Sequence, residues 1–123
     1  MKPRDSALRT KRFEASEKAR KVASLEAMIR DFETMVSELS RQITVEEERT
    51  GIKDLAHFAY STFAKAAAQR KGNLGTSVAD LKVQLDAAKR EHEDAASELT
   101  KLEPTIDDRD RLSRKSDPRA MAS

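Results

Sequence analysis

The stretch VASLEAMIRDFETMVSELSRQI, residues 22–43, decides the fold. Its apolar side chains recur at alternating steps of three and four residues, which is the spacing of the a and d positions in a coiled-coil heptad. The positions are Val22, Leu25, Ile29, Phe32, Val36, Leu39 and Ile43. An apolar stripe this narrow is buried only when another helix packs along it. The stretch therefore predicts a long helix with a helical partner.

The same spacing continues on both sides of this stretch. It reaches Leu8, Lys11, Ala15 and Lys18 on one side, and Glu46 and Thr50 on the other. Asp5 or Ser6 is suited to cap the start of such a helix, and Gly51 is suited to the left-handed residue beyond its end. We therefore predict the first helix over about residues 6–50.

A second apolar series lies in the other half of the chain. Its members are Val78, Leu81, Leu85, Ala88, His92, Ala95, Leu99 and Leu102, again at steps of three and four. Leu74, Ala67 and Phe63 extend it backward with one irregular spacing near Arg70. The series predicts a second helix over about residues 62–103, preceded by a turn over about residues 51–61.

Two amphipathic helices joined by a short connection pack as antiparallel neighbours. The predicted fold class is therefore all-α, as an antiparallel two-helix coiled-coil hairpin. With the turn centred near Leu55, facing residues have numbers that add up to about 110. The predicted pairs are Leu8 with Leu102, Lys18 with His92, Leu25 with Leu85, Ile29 with Leu81, Phe32 with Val78 and Val36 with Leu74. Lys18 is expected to extend its ammonium group to water.

Two places interrupt the helical pattern of the second half. Residues 72–77 contain Gly72, Asn73 and Gly75, which disfavour a helix, and they are compatible either with a kink or with an unbroken helix. Pro104 disfavours helical geometry at the preceding residue and predicts an end or bend of the helix there. Residues 104–123 are accordingly predicted to form a short helical extension and a disordered tail.

The composition favours long exposed helices over a globule with a thick core. The 123 residues are 37% hydrophobic, 37% charged and 4% aromatic. The absence of cysteine excludes disulfide bonds, thiolate catalysis and cysteine-based zinc sites. No apolar run follows the basic start and no 18 apolar residues stand together, so we predict no signal peptide and no membrane span. A cytoplasmic location is expected.

Charge is distributed in blocks along the chain. Residues 1–21 carry a net charge of +5, residues 22–57 carry −4, residues 58–71 carry +3, residues 72–108 carry −5 and residues 109–123 carry +3. The hairpin is expected to bring the two basic ends together. Such blocks favour selective docking surfaces over a uniform nucleic-acid coat.

The residue types needed for catalysis are not assembled in this sequence. The two histidines, His57 and His92, fall in the predicted turn and in the predicted seam. Glu46, Glu47 and Glu48 on a lone hairpin have no dry pocket in which to act as acid or base. The GNLGTS segment lacks the GK[ST] ending of a phosphate-binding loop. We therefore predict no enzymatic activity, no metal and no cofactor.

Partner binding is then the expected function, and two further possibilities stay open. One is a nucleic-acid-binding helical arm, because the basic first residues are suited to phosphate contacts, although the acidic blocks that follow oppose it. The other is a general coiled-coil scaffold or chaperone. No membrane insertion is expected from the basic end.

Three of the five aromatic residues lie within a span of six positions at the end of the predicted turn. Phe58, Tyr60 and Phe63 belong to the segment TGIKDLAHFAYSTFAKAAAQRKG, residues 50–72. They are predicted to close the turn and to present a partly apolar tip with Lys65 beside it. Phe13, Met28 and Met35 are further apolar residues outside the seam, suited either to packing on its flank or to contact with a partner.

The segments MKPRDSALRTKRFEASEKARKVASLEAMI and GIKDLAHFAYSTFAKAAAQRKGNL resemble the FliJ family of flagellar type III export proteins, in particular its alphaproteobacterial branch. The resemblance covers roughly residues 1–102 and consists of a basic start, a heptad helix, the GI-D-AHFAY turn and an alanine-rich return helix. It implies a cytoplasmic antiparallel coiled coil, peripheral to the inner-membrane export apparatus and similar to the central stalk of a rotary ATPase. The implied partners are the export ATPase ring and the cytoplasmic domain of the export gate, and the chain itself would not hydrolyse ATP.

The resemblance gives the two ends of the hairpin separate expected roles. The tip, with Phe58, Tyr60, Phe63, Lys65, Arg70 and Lys71, is expected to face the gate. The basic end, with Arg4, Arg9, Lys11, Arg12 and Phe13, is expected to face an acidic surface of the ATPase ring. The chain departs from the expected family pattern at Leu55 and Ser61, where proline is usual, and it is shorter beyond Pro104.

Overall fold

The computed structural model describes the backbone of residues 3–115 and the side chains of residues 3–103. It contains two helices, α1 over Pro3–Thr50 and α2 over Thr62–Lys115. The helices pack against each other as an antiparallel pair, and no strand occurs among the described residues. The predicted all-α helical hairpin is confirmed. The hairpin consists of two compact units.

Unit 1 combines residues 1–22 with residues 87–123. Among its described side chains, Leu8, Ala15 and Ala88 are buried. The other seam positions of this unit are half-buried: Lys11, Lys18, Val22, His92, Ala95, Leu99 and Leu102. The backward extension of the first heptad series is therefore correct, including its two lysines.

Ion pairs across the helices define the register of unit 1. Lys11 and Lys18, both in the seam of α1, contact Glu98 at 2.8 Å and Glu91 at 3.0 Å. The residue numbers of both pairs add up to 109. Each carboxylate thus lies one residue before the seam position predicted opposite its lysine. Lys18 does extend its ammonium group out of the seam, as predicted, and it meets Glu91 there.

Unit 2 comprises residues 23–86 and contains the turn. Its buried side chains on α1 are Leu25, Ile29 and Leu39, and on the other side of the chain reversal they are Tyr60, Ala64, Ala67, Val78 and Leu81. The ion pair between Lys82 and Glu33, at 3.5 Å, joins the two helices of this unit. Its residue numbers add up to 115, which places both partners beside the seam in the predicted register.

One part of the second heptad series was assigned wrongly. The prediction placed Phe63 in the seam, but its side chain is 56% exposed, whereas the neighbouring Ala64 is fully buried. With Ala64 in place of Phe63, and with the half-buried Lys71 included, the series from Tyr60 onward alternates steps of four and three without interruption. The irregular spacing near Arg70 therefore does not exist.

The helix bounds differ from the predicted ones at two positions. α1 begins at Pro3 and not at residue 6, because the fixed φ of proline and its missing N–H suit the first turn of a helix. α2 is unbroken through residues 72–77 and continues past Pro104 to Lys115, so the helix does not end at Pro104 and the predicted helical extension belongs to α2. The fixed φ of proline is compatible with a helix, although proline lacks one backbone N–H and its ring crowds the preceding turn. The predicted disordered tail at 116–123 lies outside the described residues.

Candidate partner-binding site

α1 ends on a glycine in the left-handed conformation. Gly51 has a φ of +74°, and its N–H donates to the carbonyl oxygen of Glu47 at 2.8 Å. The hydroxyl of Thr50 then accepts the N–H of Ile52 at 3.2 Å. A side chain at residue 51 would strain this geometry, and the predicted role of Gly51 is confirmed.

Local hydrogen bonds hold the turn over residues 51–61. Asp54 accepts the N–H of Ala56 on its side-chain Oδ1 at 2.9 Å and the N–H of His57 on its carbonyl oxygen at 3.0 Å. His57 accepts the N–H of Ala59 on Nδ1 and the N–H of Tyr60 on its carbonyl oxygen, both at 3.0 Å. Asp54 and His57 therefore each accept two N–H groups, and together they fix the direction of the chain across the reversal.

Two hydrogen bonds connect the turn to the last helical turns of α1. The hydroxyl of Tyr60 donates to Oε2 of Glu47 at 2.9 Å, and the hydroxyl of Ser61 donates to Oε1 of Glu46 at 2.9 Å. Burial, and then the bond to the Glu47 carboxylate, raises the pKa of Tyr60 above its ordinary value. Hydrogen bonds from Arg49 and from Ser61 lower the pKa of Glu46.

Ser61 is also the N-cap of α2. Its hydroxyl oxygen accepts the N–H of Ala64 at 3.2 Å, and its carbonyl oxygen accepts the N–H of Lys65 at 3.0 Å. This cap was not among the predictions from the sequence, although a serine directly before a helix is its usual signal. A proline at this position would have no hydroxyl for the bonds to Ala64 and Glu46.

The turn exposes apolar side chains that the hairpin does not cover. Phe58 is 97% exposed, and its ring stacks on the ring of His57 with centroids 4.7 Å apart. Leu55 and Phe63 are 60% and 56% exposed. Tyr60, the third predicted aromatic residue, is instead buried at 8% exposure and closes the turn. We call Leu55, Phe58 and Phe63 the apolar tip, and Leu55 is the member that sequence reasoning missed.

The three cations predicted beside the tip have different surroundings. Lys65 and Arg70 are exposed, whereas Lys71 is half-buried in the seam of α2. Lys71 also lines a cleft of about 520 Å³ together with Leu55, Tyr60, Val36 and Ile43. Arg70 lines a smaller cleft of about 350 Å³, beside Met35 and Leu39. Arg70 and Lys71 therefore line different grooves, and Lys65 lines neither of these two.

The predicted basic end belongs to unit 1, and part of its charge is already paired. Lys11 contacts Glu14 at 3.4 Å as well as Glu98, and Arg12 contacts Glu103 at 3.3 Å. Within the described part of the chain, Arg4 and Arg9 are exposed and form no ion pair.

The apolar member of this end is Phe13, which is 65% exposed. The positive charge that this end offers a partner is therefore carried by Arg4 and Arg9 more than by Lys11 and Arg12, whose charges are matched within the hairpin.

Across residues 3–103, no group of three or more His, Cys, Asp or Glu side chains is arranged to hold a metal ion. None of the helical segments in the described chain combines the length and apolarity that crossing a bilayer requires. Comparison of the chain with known protein families, curated proteins and solved structures found no match.

Proposed function

We propose that this protein is a non-enzymatic component of the flagellar type III protein export apparatus. In this proposal it is a cytoplasmic coiled-coil stalk that links the export ATPase ring to the export gate. The family resemblance of its first 102 residues supports the assignment, and so does the hairpin of two long helices that the resemblance implies. Each end of such a stalk needs a surface for a different protein.

The exposure of Phe58 is the observation that carries this proposal. A fully exposed aromatic side chain is a frequent anchor of protein interfaces, because it buries a large apolar area at the cost of few rotatable bonds. The hydrogen bonds of Asp54 and His57 already order the backbone around it. A partner therefore meets a preorganised apolar tip, which lowers the entropic cost of binding. We assign the apolar tip to the export gate.

The charge of the basic end supports the second contact. Arg4 and Arg9 are exposed, and residues 1–21 carry a net charge of +5. Cations of this kind steer an encounter with an acidic surface and increase the association rate. We assign this end to the export ATPase ring, with Phe13 as the apolar contact among the cations.

Binding of the purified chain to the two partners tests the assignment. The chain should retain the export ATPase and the cytoplasmic domain of the gate in separate pull-downs. Phe58→Ala should weaken gate binding by about tenfold or more. Val83→Ala is the matched control, because Val83 is 70% exposed on α2 and lies outside the turn. If the chain binds neither protein, the export assignment is wrong.

A second set of variants separates the two ends and tests the alternative functions. Arg9→Glu should weaken binding to the ATPase but not to the gate domain, whereas Arg30→Glu, at an exposed position of α1 in unit 2, should affect neither. Retention of tRNA in a gel shift, with a steep loss as salt rises, would instead favour the nucleic-acid arm. Self-association or loose binding to unrelated clients, without either target, would favour a general scaffold.

A further inference from the structure

The larger cleft of unit 2 is open because the residues beside the seam are small. Farther from the turn, Glu33 and Lys82 flank the seam as an ion pair. Nearer the turn, residues whose numbers also add up to 115 occupy the corresponding positions beside the seam. These are Ser40 beside Gly75 and then Glu47 beside Ala68. Gly75, Ala68 and Glu47 all line the cleft. Ser40, Gly75 and Ala68 are small where Glu33 and Lys82 cover the seam farther along, and the seam is accessible from this side.

The floor of the cleft is apolar. Val36 and Ile43 of the α1 seam are half-buried, and both line the cleft. Leu55 of the turn stands at one end with 60% of its surface exposed. These side chains would lose further contact with water if a partner covered the cleft.

Two glycines line the cleft although the hairpin does not require them. A Cβ atom added at Gly72 or Gly75 would meet nothing within 4 Å. Both residues lie inside α2, where glycine is less favourable than alanine by roughly 1 kcal/mol. The hairpin therefore gains nothing from the missing side chains. What their absence provides is room for another backbone to approach α2 closely.

The cations of the cleft indicate that its occupant is negatively charged. Lys53 and Lys71 line the cleft, and neither forms an ion pair with any residue of the described chain. The one carboxylate in the lining, that of Glu47, accepts the hydroxyl of Tyr60. Lys53 is exposed and Lys71 is half-buried in the seam, so both cations stand at the cleft where the carboxylates of an occupant can pair with them.

The cleft is better suited to a helix than to an extended peptide. An extended peptide binds by adding backbone hydrogen bonds to a sheet edge, but α1 and α2 use their backbone groups internally. A third helix needs only apolar side chains at helical spacing and a close approach, and the glycines allow the approach.

We propose that the cleft between Val36, Ile43 and the glycines of α2 binds an acidic amphipathic helix of another protein. Its apolar face covers Val36, Ile43 and Leu55, its backbone approaches Gly72 and Gly75, and its carboxylates pair with Lys53 and Lys71. This surface shares Leu55 with the apolar tip but does not include Phe58, and it does not depend on the export assignment.

Glycine-selective isotope labelling gives a direct test. The chain has three glycines, so a sample of the full chain labelled with ¹⁵N-glycine gives three backbone signals. The probe is a synthetic helical peptide of roughly five turns, with leucines on one face and glutamates beside them. The matched peptide carries lysine in place of each glutamate.

The acidic peptide should shift the signals of Gly72 and Gly75 while that of Gly51 changes little, and the basic peptide should shift none of them. The proposal is overturned if the acidic peptide produces no shift, or if both peptides shift the signals equally. A shift of Gly72 and Gly75 on dilution of the chain alone would mean that a second copy fills the cleft, which also overturns it.

Variants locate the binding to the cleft without disturbing the fold. Gly75→Gln introduces a good helix former whose side chain fills the cleft. It should weaken binding of the acidic peptide by more than tenfold. Thr76→Gln, at an exposed position outside the cleft, is its control. The double substitution Lys53→Gln and Lys71→Gln should weaken binding by about fivefold, whereas Lys65→Gln should not. Circular dichroism confirms that each variant keeps its helices. Unchanged peptide affinity in folded Gly75→Gln would contradict the proposal.

Discussion

The hydroxyl of Tyr60 donates a hydrogen bond to Oε2 of Glu47 at 2.9 Å, and this bond joins the end of the turn to the last helical turns of α1. The tyrosine side chain is 8% exposed, so the bond is made at the buried closure of the hairpin. Burial of the phenol and the adjacent carboxylate both disfavour the phenolate. The pKa of Tyr60 is therefore raised above its ordinary value of 10.0.

The titration of Tyr60 should report this closure. It is the only tyrosine and the chain has no tryptophan, so ultraviolet absorbance follows its ionisation directly. The phenol should titrate at higher pH in the folded chain than in urea. Glu47→Gln should lower the pKa of Tyr60 only partly, because burial is the larger cause. Glu48→Gln, at an exposed neighbouring position, should leave it unchanged, and equal pKa values in the folded and unfolded chains would show that the closure is absent.

The same shift makes stability fall at alkaline pH. The folded state holds the Tyr60 proton more tightly than the unfolded state does, since its pKa is raised. The stabilisation is complete below the unfolded pKa and is lost as pH rises through the folded pKa. Tyr60→Phe should remove this part of the loss of stability at alkaline pH. It should also lower the Tm by a few degrees at neutral pH.

Acid should weaken the hairpin through the cross-helix pairs of unit 1. Hydrogen bonds from Lys11 and Lys18 lower the pKa values of Glu98 and Glu91 below the ordinary 4.5. Their contribution to stability is therefore complete above the unfolded pKa and is lost as pH falls through the depressed folded values. Urea unfolding at a series of pH values should show stability declining below about pH 5.

Neutralising variants identify the groups responsible for that decline. Glu98→Gln should reduce the slope of stability against pH, because one of the depressed carboxyl groups is removed. Glu93→Gln replaces a carboxylate of α2 that is exposed and has no ion pair within the described residues, and it is expected to leave the slope unchanged. An unaltered slope in Glu98→Gln would contradict the pairing with Lys11.

Reversing the ion pair of unit 2 tests the register of the helices. Glu33→Lys places two cations side by side and should destabilise the chain by about 0.5 kcal/mol. Adding Lys82→Glu should restore most of the loss, because the pair is re-formed with its charges exchanged. Asp31→Lys at an exposed position of α1 is the control and should not respond to Lys82→Glu. A double-mutant cycle with no coupling would argue against this register.

The three glycines should respond to alanine with opposite signs. Gly72→Ala and Gly75→Ala should each stabilise the chain by about 1 kcal/mol, because a Cβ meets nothing there and alanine is the better helix former. Gly51→Ala should destabilise it by about 1 kcal/mol, because its φ of +74° is unfavourable for a residue with a Cβ. Thermal unfolding of the three variants distinguishes the two cases. Destabilisation by Gly75→Ala would mean that the position is more tightly packed than the structure shows.

Burial along the heptad seam should determine the cost of truncation. Ile29 is 7% exposed, and Ile29→Ala should cost about 2 to 4 kcal/mol of unfolding free energy. Val83 is 70% exposed on the outer surface of α2, so Val83→Ala should change stability by less than about 0.5 kcal/mol. Urea denaturation measures both, and similar costs would mean that the helices do not pair along the predicted seam.

Most of the secondary structure was predictable because a heptad repeat is a local signal that recurs many times. Each repeat places an apolar residue on the same helical face, and a single interruption such as Gly75 does not outweigh its neighbours. The repeat also predicted the register, which the ion pair between Lys18 and Glu91 supports. The prediction failed at the start of α2, where either of two adjacent residues was able to fill the seam position. Phe63 is the more hydrophobic residue, but the buried position belongs to Ala64.

The preference for Ala64 has a packing reason that periodicity does not contain. Near the closure, Tyr60 fills the seam and forms its bond to Glu47, which fixes the direction in which α2 leaves the turn. That direction turns the ring of Phe63 outward. A pattern of apolar residues records which side chains favour burial, but it does not record how the backbone orients them at a chain reversal.

The sequence by itself determined two antiparallel helices, their register and the left-handed glycine at the end of α1, because these depend on residue spacing and backbone sterics. The tertiary structure alone decided which aromatic side chains stay exposed, which cations remain unpaired, and where small residues leave the seam open. Those properties depend on both helices at once, since the burial of Tyr60 and the cleft beside Lys71 arise only when α2 packs on α1.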